Sequence, residues 1–215
     1  MITRRQMLSG IGTVASASVA ISVLGAKPFA LHDDGKTLIK NSGKTHGADY
    51  FTNVELTNQY GKQVRFYDDL IKNKFVVINM MYAQCSEGIC PISTYNMRQV
   101  QKALGNRVGR DIHMYSITLL PDFDTPKVLK KYAVDNKVGP GWQFLTGKFS
   151  DIEIVRRKLG FYDQDPKVDA DRTQHAGIVR IGNDAYDNWM MASALGSHKT
   201  ILQVIKHADR TLIRA

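Results

Sequence analysis

Cys85 and Cys90, the two cysteines of this 215-residue chain, lie in the stretch FVVINMMYAQCSEGICP. Residues 75–81 are apolar or nearly so, which is typical of a strand buried on both faces of a sheet. Pro91 suits the first position of a helix, because its missing N–H would have no partner there. The residue before a proline is usually extended, so the pattern predicts Cys90 at the helix cap. Two thiols between a buried strand and a helix start indicate a chemical site.

A disulfide between Cys85 and Cys90 would contribute little to the stability of the fold. In the chain-entropy model its short loop is worth roughly 2 kcal/mol, whereas a loop of about a hundred residues is worth nearly 5 kcal/mol. The pair is better suited to gaining and losing electrons, or to holding a metal ion between two sulfurs. The helix dipole favours thiolate by about 0.3–1 kcal/mol, which predicts that Cys90 is the more acidic thiol. A structural disulfide in an exported protein stays open as an alternative.

The rest of the chain predicts a hairpin followed by alternating strands and helices. The hairpin turns at residues 58–61, and later strands are predicted near residues 75–81, 112–120, 142–145 and 176–181. Helices are predicted from Pro91, from the Asp124-Thr125-Pro126 start, from a capping box at residues 150–153 and from the Ser197 cap. This order predicts one α/β domain, with a central β-sheet covered by helices on both faces and an N-terminal β-hairpin.

The N-terminal segment has the features of an export signal. Thr3-Arg4-Arg5-Gln6-Met7-Leu8 is a twin-arginine pattern, and a mildly apolar run follows at residues 11–26. We therefore expect residues 1–30 to be a Tat-type signal or a membrane anchor, because the apolar run is only just too short to span a bilayer. Residues 31–49 are polar and aperiodic and predict a linker, which leaves residues 50–215 as the folded domain.

The charge of the chain excludes one class of function. The formal net charge is +9, and removing residues 1–30 takes away three basic residues and no acid, which leaves +6. The excess is spread in pairs such as Lys130-Lys131 and Arg156-Arg157, without the basic and aromatic pattern of a nucleic-acid binder. We expect a solvated surface, or docking to an acidic protein surface or an anionic membrane.

Several segments together carry a family resemblance: LTNQYGKQV, the Cys-Pro loop, TLLPDFDTPKVLKKYA, FLTG and QHAGIVRIGND. Over about residues 50–208 the chain resembles the SCO1/SenC proteins, which are thioredoxin-like, membrane-tethered or periplasmic proteins associated with copper delivery to cytochrome oxidase. The resemblance implies a thioredoxin-like fold for this domain. It also implies that the membrane is contacted only through the N-terminal segment.

The resemblance further implies that Cys85, Cys90 and His175 are ligands of copper, as Cu(I) or Cu(II). Two thiolates and an imidazole are soft to borderline ligands that suit copper, whereas zinc would want a fourth ligand. Two features depart from the family pattern. Four residues rather than three separate the cysteines, and Gln174 precedes the histidine where the family usually has an acid.

The sequence leaves three functions open. The first is an exported copper metallochaperone that assists assembly of a copper site in a respiratory enzyme such as cytochrome c oxidase. The second is a periplasmic thiol–disulfide oxidoreductase, in which Cys85 and Cys90 form the redox pair and a periplasmic thiol reductant is a partner. The third is a non-catalytic exported binding domain with a minor disulfide.

Other residues with ligand chemistry are expected to have structural roles. Met80 and Met81 adjoin the cysteines but are expected in the core, and the histidines outside the site are expected to be structural or solvated. The acids of residues 162–173 are too irregularly spaced for a calcium loop, so we expect a solvated loop there. These residues are His113, His198, His207, Asp163, Asp165, Asp169 and Asp171.

Overall fold

The computed structural model describes residues 47–209, apart from residue 87 and residues 173–176. Six α-helices and seven strands alternate along this part of the chain. In order they are α1 (Gly47–Phe51), β1 (Glu55–Asn58), β2 (Gln63–Arg65), β3 (Phe75–Met81), α2 (Ile89–Leu104), β4 (Ile112–Thr118), α3 (Pro126–Asp135), β5 (Trp142–Gly147), α4 (Phe149–Lys158), α5 (Pro166–Ala170), β6 (Ile178–Asn183), β7 (Asn188–Ser193) and α6 (His198–Ala208). A π-helical turn, Phe66–Ile71, precedes β3.

All seven strands belong to one mixed sheet, in the order β2-β1-β5-β4-β3-β6-β7. The three central strands β3, β4 and β5 are parallel, and the outer neighbours pair antiparallel to them. Val76, for example, faces His113 of β4 on one side and Gly182 of β6 on the other. The strand that leads to Cys85 therefore lies inside the sheet, with a hydrogen-bonded neighbour at each side.

Both faces of the sheet are covered at β3. Successive side chains of a strand point to opposite faces, and all seven residues of β3 are buried. Helices α2 and α6 pack on each other, and α1 packs on α4. The predicted α/β class, with a covered central sheet and an N-terminal hairpin, is confirmed. Met80 and Met81 are fully buried core residues, as expected.

The local patterns placed most elements correctly. Strand β3 has the predicted bounds, and the β1–β2 hairpin turns at Asn58, whose side-chain oxygen accepts from the N–H groups of Tyr60 and Lys62. Thr125 caps α3 and Ser197 caps α6 through their side-chain oxygens. These two caps work because a hydroxyl oxygen accepts an N–H that has no partner inside the helix.

The predicted capping box at residues 150–153 is wrong. Helix α4 begins at Phe149 after Lys148, so Ser150 is already inside the helix. Glu153 does not return to the helix start, because its carboxylate binds the side chains of Arg156, Arg157 and Arg172. The three guanidinium groups thus outcompete a backbone N–H for that carboxylate.

A chain of buried polar side chains runs beneath α2. The indole N–H of Trp142 donates to the Ser116 hydroxyl at 2.9 Å, and that hydroxyl donates to the Asn79 side-chain oxygen at 2.7 Å. The Asn79 amide in turn donates to Ser93 of α2 at 3.4 Å. Buried polar groups are tolerated only when they are paired, so this chain fixes three strands and the helix relative to one another.

We expect replacement of Asn79 by leucine to lower the free energy of unfolding by about 2 kcal/mol, because the buried Ser116 hydroxyl loses its acceptor. Urea unfolding followed by circular dichroism measures this change. Ser93→Ala is the matched control and removes only the long 3.4 Å contact, so it should cost less than about 1 kcal/mol. Equal losses in the two variants would contradict the prediction.

In the part of the chain that the structure describes, no helix is both long enough and apolar enough to cross a membrane. Residues 1–30, where the signal or anchor is predicted, lie outside that part.

Candidate metal and thiol site

The two cysteines lie next to each other and are not joined by a disulfide. The backbone N–H of Cys90 donates to the Cys85 sulfur at 3.4 Å. The Cys90 side chain is fully buried, whereas Cys85 is partly exposed. The Cys85 thiol is therefore accessible to solvent, whereas the Cys90 thiol is not. The hydrogen bond from the Cys90 N–H to the Cys85 sulfur holds the two residues next to each other.

Helix α2 begins two residues earlier than the proline predicted. Its N-cap is Gly88, with a positive φ of 79°, and its first residue is Ile89. Cys90 is therefore the second residue of the helix rather than its cap. Glycine adopts this left-handed conformation without steric cost, so Gly88 turns the chain sharply enough for the N–H of Cys90 to reach back to Cys85. Pro91 still fits, because N–H groups in the first turn have no partner within the helix.

Burial dominates the chemistry of Cys90. Desolvation raises the pKa of the Cys90 thiol to about 12, and the neighbouring Cys85 thiol contributes in the same direction, while a backbone hydrogen bond from Tyr82 opposes it. The expectation that the helix start makes Cys90 acidic is wrong, because a dipole effect of about 0.3–1 kcal/mol is smaller than the burial effect. Cys90 is protonated near neutral pH unless a metal ion displaces its proton.

A buried carboxylate supports the chain that leads into Cys85. Asp124 is 1% exposed. Its carboxylate accepts the Ala83 N–H at 3.1 and 3.3 Å, and the Thr118 hydroxyl at 2.6 Å. Burial raises the pKa of Asp124, and these hydrogen bonds partly oppose the rise. The sequence placed Asp124 only at a helix start, since nothing local shows that its side chain turns towards another loop.

The phenol of Tyr132, on α3, is a second polar group near the cysteines. It shares a 2.8 Å hydrogen bond with the Thr94 hydroxyl, one turn after Cys90. Burial raises the pKa of Tyr132 to about 12, opposed by the Thr94 bond, and the nearby groups Cys90, Cys85 and Asp124 add to the rise. The apolar stripe of α3 predicted that Tyr132 faces inward but did not show that its hydroxyl lies near the thiols.

His175, the third predicted ligand, lies outside the described residues. Among the residues that are described, no group of three or more His, Cys, Asp or Glu side chains is arranged to hold a metal ion. The two thiols do fit copper as a donor set, because they are unoxidised, adjacent and soft. Two of the three predicted ligands are thus together.

The expectation of a solvated acidic loop at residues 162–173 is wrong for Asp169. That carboxylate is 6% exposed, and it binds Arg156, which is 1% exposed, through two hydrogen bonds of 2.6 and 2.9 Å. Arg156, expected at the surface, also donates to the Phe161 carbonyl and to Glu153. Arg172, the last described residue before the gap at residues 173–176, binds Glu153 at 2.5 Å and stacks on Phe149 at 3.8 Å.

The fold and the thiol pair define a class of protein, the thioredoxin-like α/β domains that carry two cysteines at the junction of a central strand and the following helix. The family model described as SCO1/SenC matches residues 42–208. The chain belongs to the SCO1/SenC family.

Known relatives agree with this assignment. The chain is 35% identical over 98 residues to the SCO1 protein homolog of Bacillus subtilis, a match that covers 45% of this chain and 48% of the relative. The match thus spans about half the length of that curated relative. The fold is similar to BsSco, described as a member of the Sco family of cytochrome c oxidase assembly proteins with a disulfide switch, at 25% identity and a TM-score of 0.58, over 72% of this chain and 90% of that one. Bradyrhizobium japonicum ScoI with copper bound is similar at 23% identity and a TM-score of 0.56, over 72% and 96% of the two chains.

Proposed function

We propose that this protein is an exported copper-binding assembly factor that binds copper through Cys85, Cys90 and His175. It would pass the metal to the copper site of a respiratory enzyme such as cytochrome c oxidase. The observation that carries the proposal is the adjacent pair of unoxidised thiols, in a chain of the SCO1/SenC family. The copper-bound relative and the relative described as a cytochrome c oxidase assembly protein support the metal and the class of recipient.

The register of the sheet supports His175 as the third ligand. Strand β6 runs antiparallel to β3, with Val179 opposite Asn79. The first residues of β6 therefore lie beside the end of β3, which is the end that leads to Cys85. His175 is three residues before Ile178, a length of chain that spans at most about 10 Å. An imidazole at that position would complete a three-coordinate site with the two sulfurs.

The unequal burial of the thiols supports a direction for ligand exchange. Cys90 is fully buried and Cys85 is partly exposed, so a recipient ligand reaches the copper from the Cys85 side first. Exposed apolar side chains lie close by along the chain: Ile92 follows Pro91 and is 50% exposed, and Phe123 precedes Asp124 and is 66% exposed. We propose that this side faces the recipient protein during transfer.

We also propose that export uses the N-terminal segment. Residues 1–30 would act as a Tat-type signal or a membrane anchor, residues 31–49 as a linker and residues 50–215 as the folded domain in the periplasm. The support is the Arg4-Arg5 pair followed by a mildly apolar run. Helix α1 begins at Gly47, so the last residues of the proposed linker already belong to a helix.

The alternative function is thiol–disulfide exchange with a partner protein, for which a periplasmic thiol reductant would be needed. One observation favours it: the two thiols are adjacent and not joined by a disulfide, and thiol–disulfide exchange needs a second thiol close to the attacking one. In this alternative His175 would tune the thiols or be dispensable, whereas the proposed copper site requires it. The histidine therefore separates the two functions.

Copper titration of the full chain, reduced and kept anaerobic, tests the proposal. We expect one Cu(I) per chain in competition with a chromogenic chelator, and His175→Ala should weaken binding by about 10–100-fold, because it removes one of three ligands. His207→Ala is the matched control, since this histidine is exposed on α6, and it should bind like the wild type.

The same variants distinguish the alternative. The probe is reduction of insulin disulfides in the presence of dithiothreitol. If His175→Ala binds copper unchanged, and insulin reduction requires both cysteines, the protein is an oxidoreductase and the copper proposal is wrong.

A further inference from the structure

Asp124, which lies outside the cysteine loop, binds the backbone between β3 and Cys85. Ala83 lies two residues before Cys85, and its backbone N–H donates to both carboxylate oxygens of Asp124, at 3.3 and 3.1 Å. One of these oxygens also accepts the Thr118 hydroxyl at 2.6 Å. Asp124 is therefore the bridge between the end of β4 and the entry to the cysteine loop.

The bridge is itself rigid. The backbone N–H of Asp124 donates to the Leu120 carbonyl at 3.0 Å, and the Leu120 N–H donates to the Thr118 hydroxyl oxygen at 2.9 Å. Asp124 is 1% exposed, so water does not compete for its oxygens. Helix α3 does not need this carboxylate, because Thr125 caps it by accepting the Val128 N–H. The side chain is thus left to serve the cysteine loop.

We propose that Asp124 is a positioning residue for the thiol pair. By fixing the Ala83 amide it sets the path of the chain into Cys85, and so the distance at which the Cys85 sulfur meets Cys90. A loop with four residues between its cysteines has more freedom than a shorter one, and at least two contacts constrain it. One is the bond from Cys90 N–H to the Cys85 sulfur, and the other is the Asp124 bridge.

The equilibrium between the dithiol and the disulfide reports this distance without copper. In the measured reaction Cys85 and Cys90 form an S–S bond, and their two electrons and two protons convert one oxidised glutathione into two reduced molecules. We expect Asp124→Ala in the full chain to change the equilibrium constant by about tenfold, because a hydrogen bond between the loop and a charged group is lost. A variant that is destabilised elsewhere in the fold should not show this change in the equilibrium constant.

Two variants separate positioning from general destabilisation. Asp124→Asn keeps an oxygen for the Ala83 N–H, so its equilibrium constant should stay within about threefold of the wild type. Asp169→Asn breaks the buried ion pair with Arg156, which has no part in the bridge, so it should lower the melting temperature and leave the equilibrium constant unchanged. Rescue by Asp124→Asn, together with an unchanged equilibrium constant in Asp169→Asn, supports the proposal.

The proposal is overturned if Asp124→Ala leaves the equilibrium constant unchanged, or if Asp169→Asn changes it as much as Asp124→Ala does. If Asp124→Ala does not fold, Thr118→Val, which removes the β4 end of the bridge, takes its place, and an unchanged equilibrium constant in that variant overturns the proposal. A second measurement, of Cu(I) affinity, rests on the proposed function. The Cu(I) affinity of Asp124→Ala should be lower than that of the wild type. A wild-type chain that binds no copper but shows the glutathione pattern refutes the proposed function and supports the positioning role.

Discussion

Replacement of Cys90 by serine is expected to weaken Cu(I) binding by at least about 100-fold, a larger effect than we expect for any substitution outside the cysteine pair. A hydroxyl is a hard, weakly acidic ligand and does not replace a thiolate for a soft cation. Cys85→Ser should have the same effect. Competition with a chromogenic Cu(I) chelator measures the affinity, and loss of the sulfur-to-copper charge-transfer absorption of the Cu(II) form provides a second readout.

The two cysteine variants should differ in stability even though both lose copper. Cys90→Ser places a hydroxyl in a fully buried position, whereas Cys85→Ser changes a partly exposed one. We therefore expect only Cys90→Ser to lower the melting temperature of the metal-free protein. Ser86→Ala is the control, because Ser86 is exposed in the same loop. Tight one-to-one binding by both serine variants would show that the thiols are not the copper ligands.

The second large effect is expected at the buried ion pair of Arg156 and Asp169. Asp169→Asn keeps the shape of the side chain but removes the charge that faces a guanidinium of 1% exposure. Breaking a buried pair by removing one partner typically costs 3–5 kcal/mol, and Glu153 remains beside Arg156. We expect a loss of about 3 kcal/mol at pH 7, measured by urea unfolding.

The same pair gives the stability a definite pH dependence. Hydrogen bonds from Arg156 hold the pKa of Asp169 well below its ordinary value. The carboxylate in the folded protein therefore contributes fully above the ordinary aspartate pKa of about 4, and the contribution is lost as the pH falls through the lower folded-state pKa. The difference between the wild type and Asp169→Asn should shrink as the pH is lowered from about 5 to 2.

Asp122→Asn is the matched control for this measurement. Asp122 is exposed, so its replacement should change the unfolding free energy by less than about 0.5 kcal/mol at every pH. A constant difference between the wild type and Asp169→Asn across the whole pH range would contradict the role given to the ion pair.

Local sequence patterns predicted what short-range physics decides. The uninterrupted apolar run of β3 indicated a strand inside a covered sheet, and Thr125 and Ser197 indicated helix starts by their capping chemistry. The cysteine pair was placed at the junction of strand and helix for the same reason, although Cys90 lies in the first turn of α2 and not at its cap. These features depend on residues within a few positions of one another, so one sequence is enough to find them.

Features that depend on distant residues were missed. Arg156 and Asp169 are both charged, and only their meeting across a turn and a short helix makes burial of the two favourable. Asp124 reaches Ala83 from a segment that lies far along the chain. The acidity of Cys90 was misjudged because burial is a property of the whole fold, while the helix dipole is visible locally. Local sequence patterns and secondary-structure propensities do not report contacts between residues that are distant in the sequence.

The pairing of β3 with β6 has a consequence for the order in which the protein is made. Phe75 of β3 lies opposite Asn183, whose segment is synthesised long after both cysteines. Until that segment emerges, one row of backbone groups along β3 has no partner strand, and such an edge can pair with another chain. In the nascent chain, the thiols of Cys85 and Cys90 are therefore present before the fold that buries Cys90 is complete. Reducing conditions during synthesis should matter more for the yield of reduced protein than reducing conditions after folding.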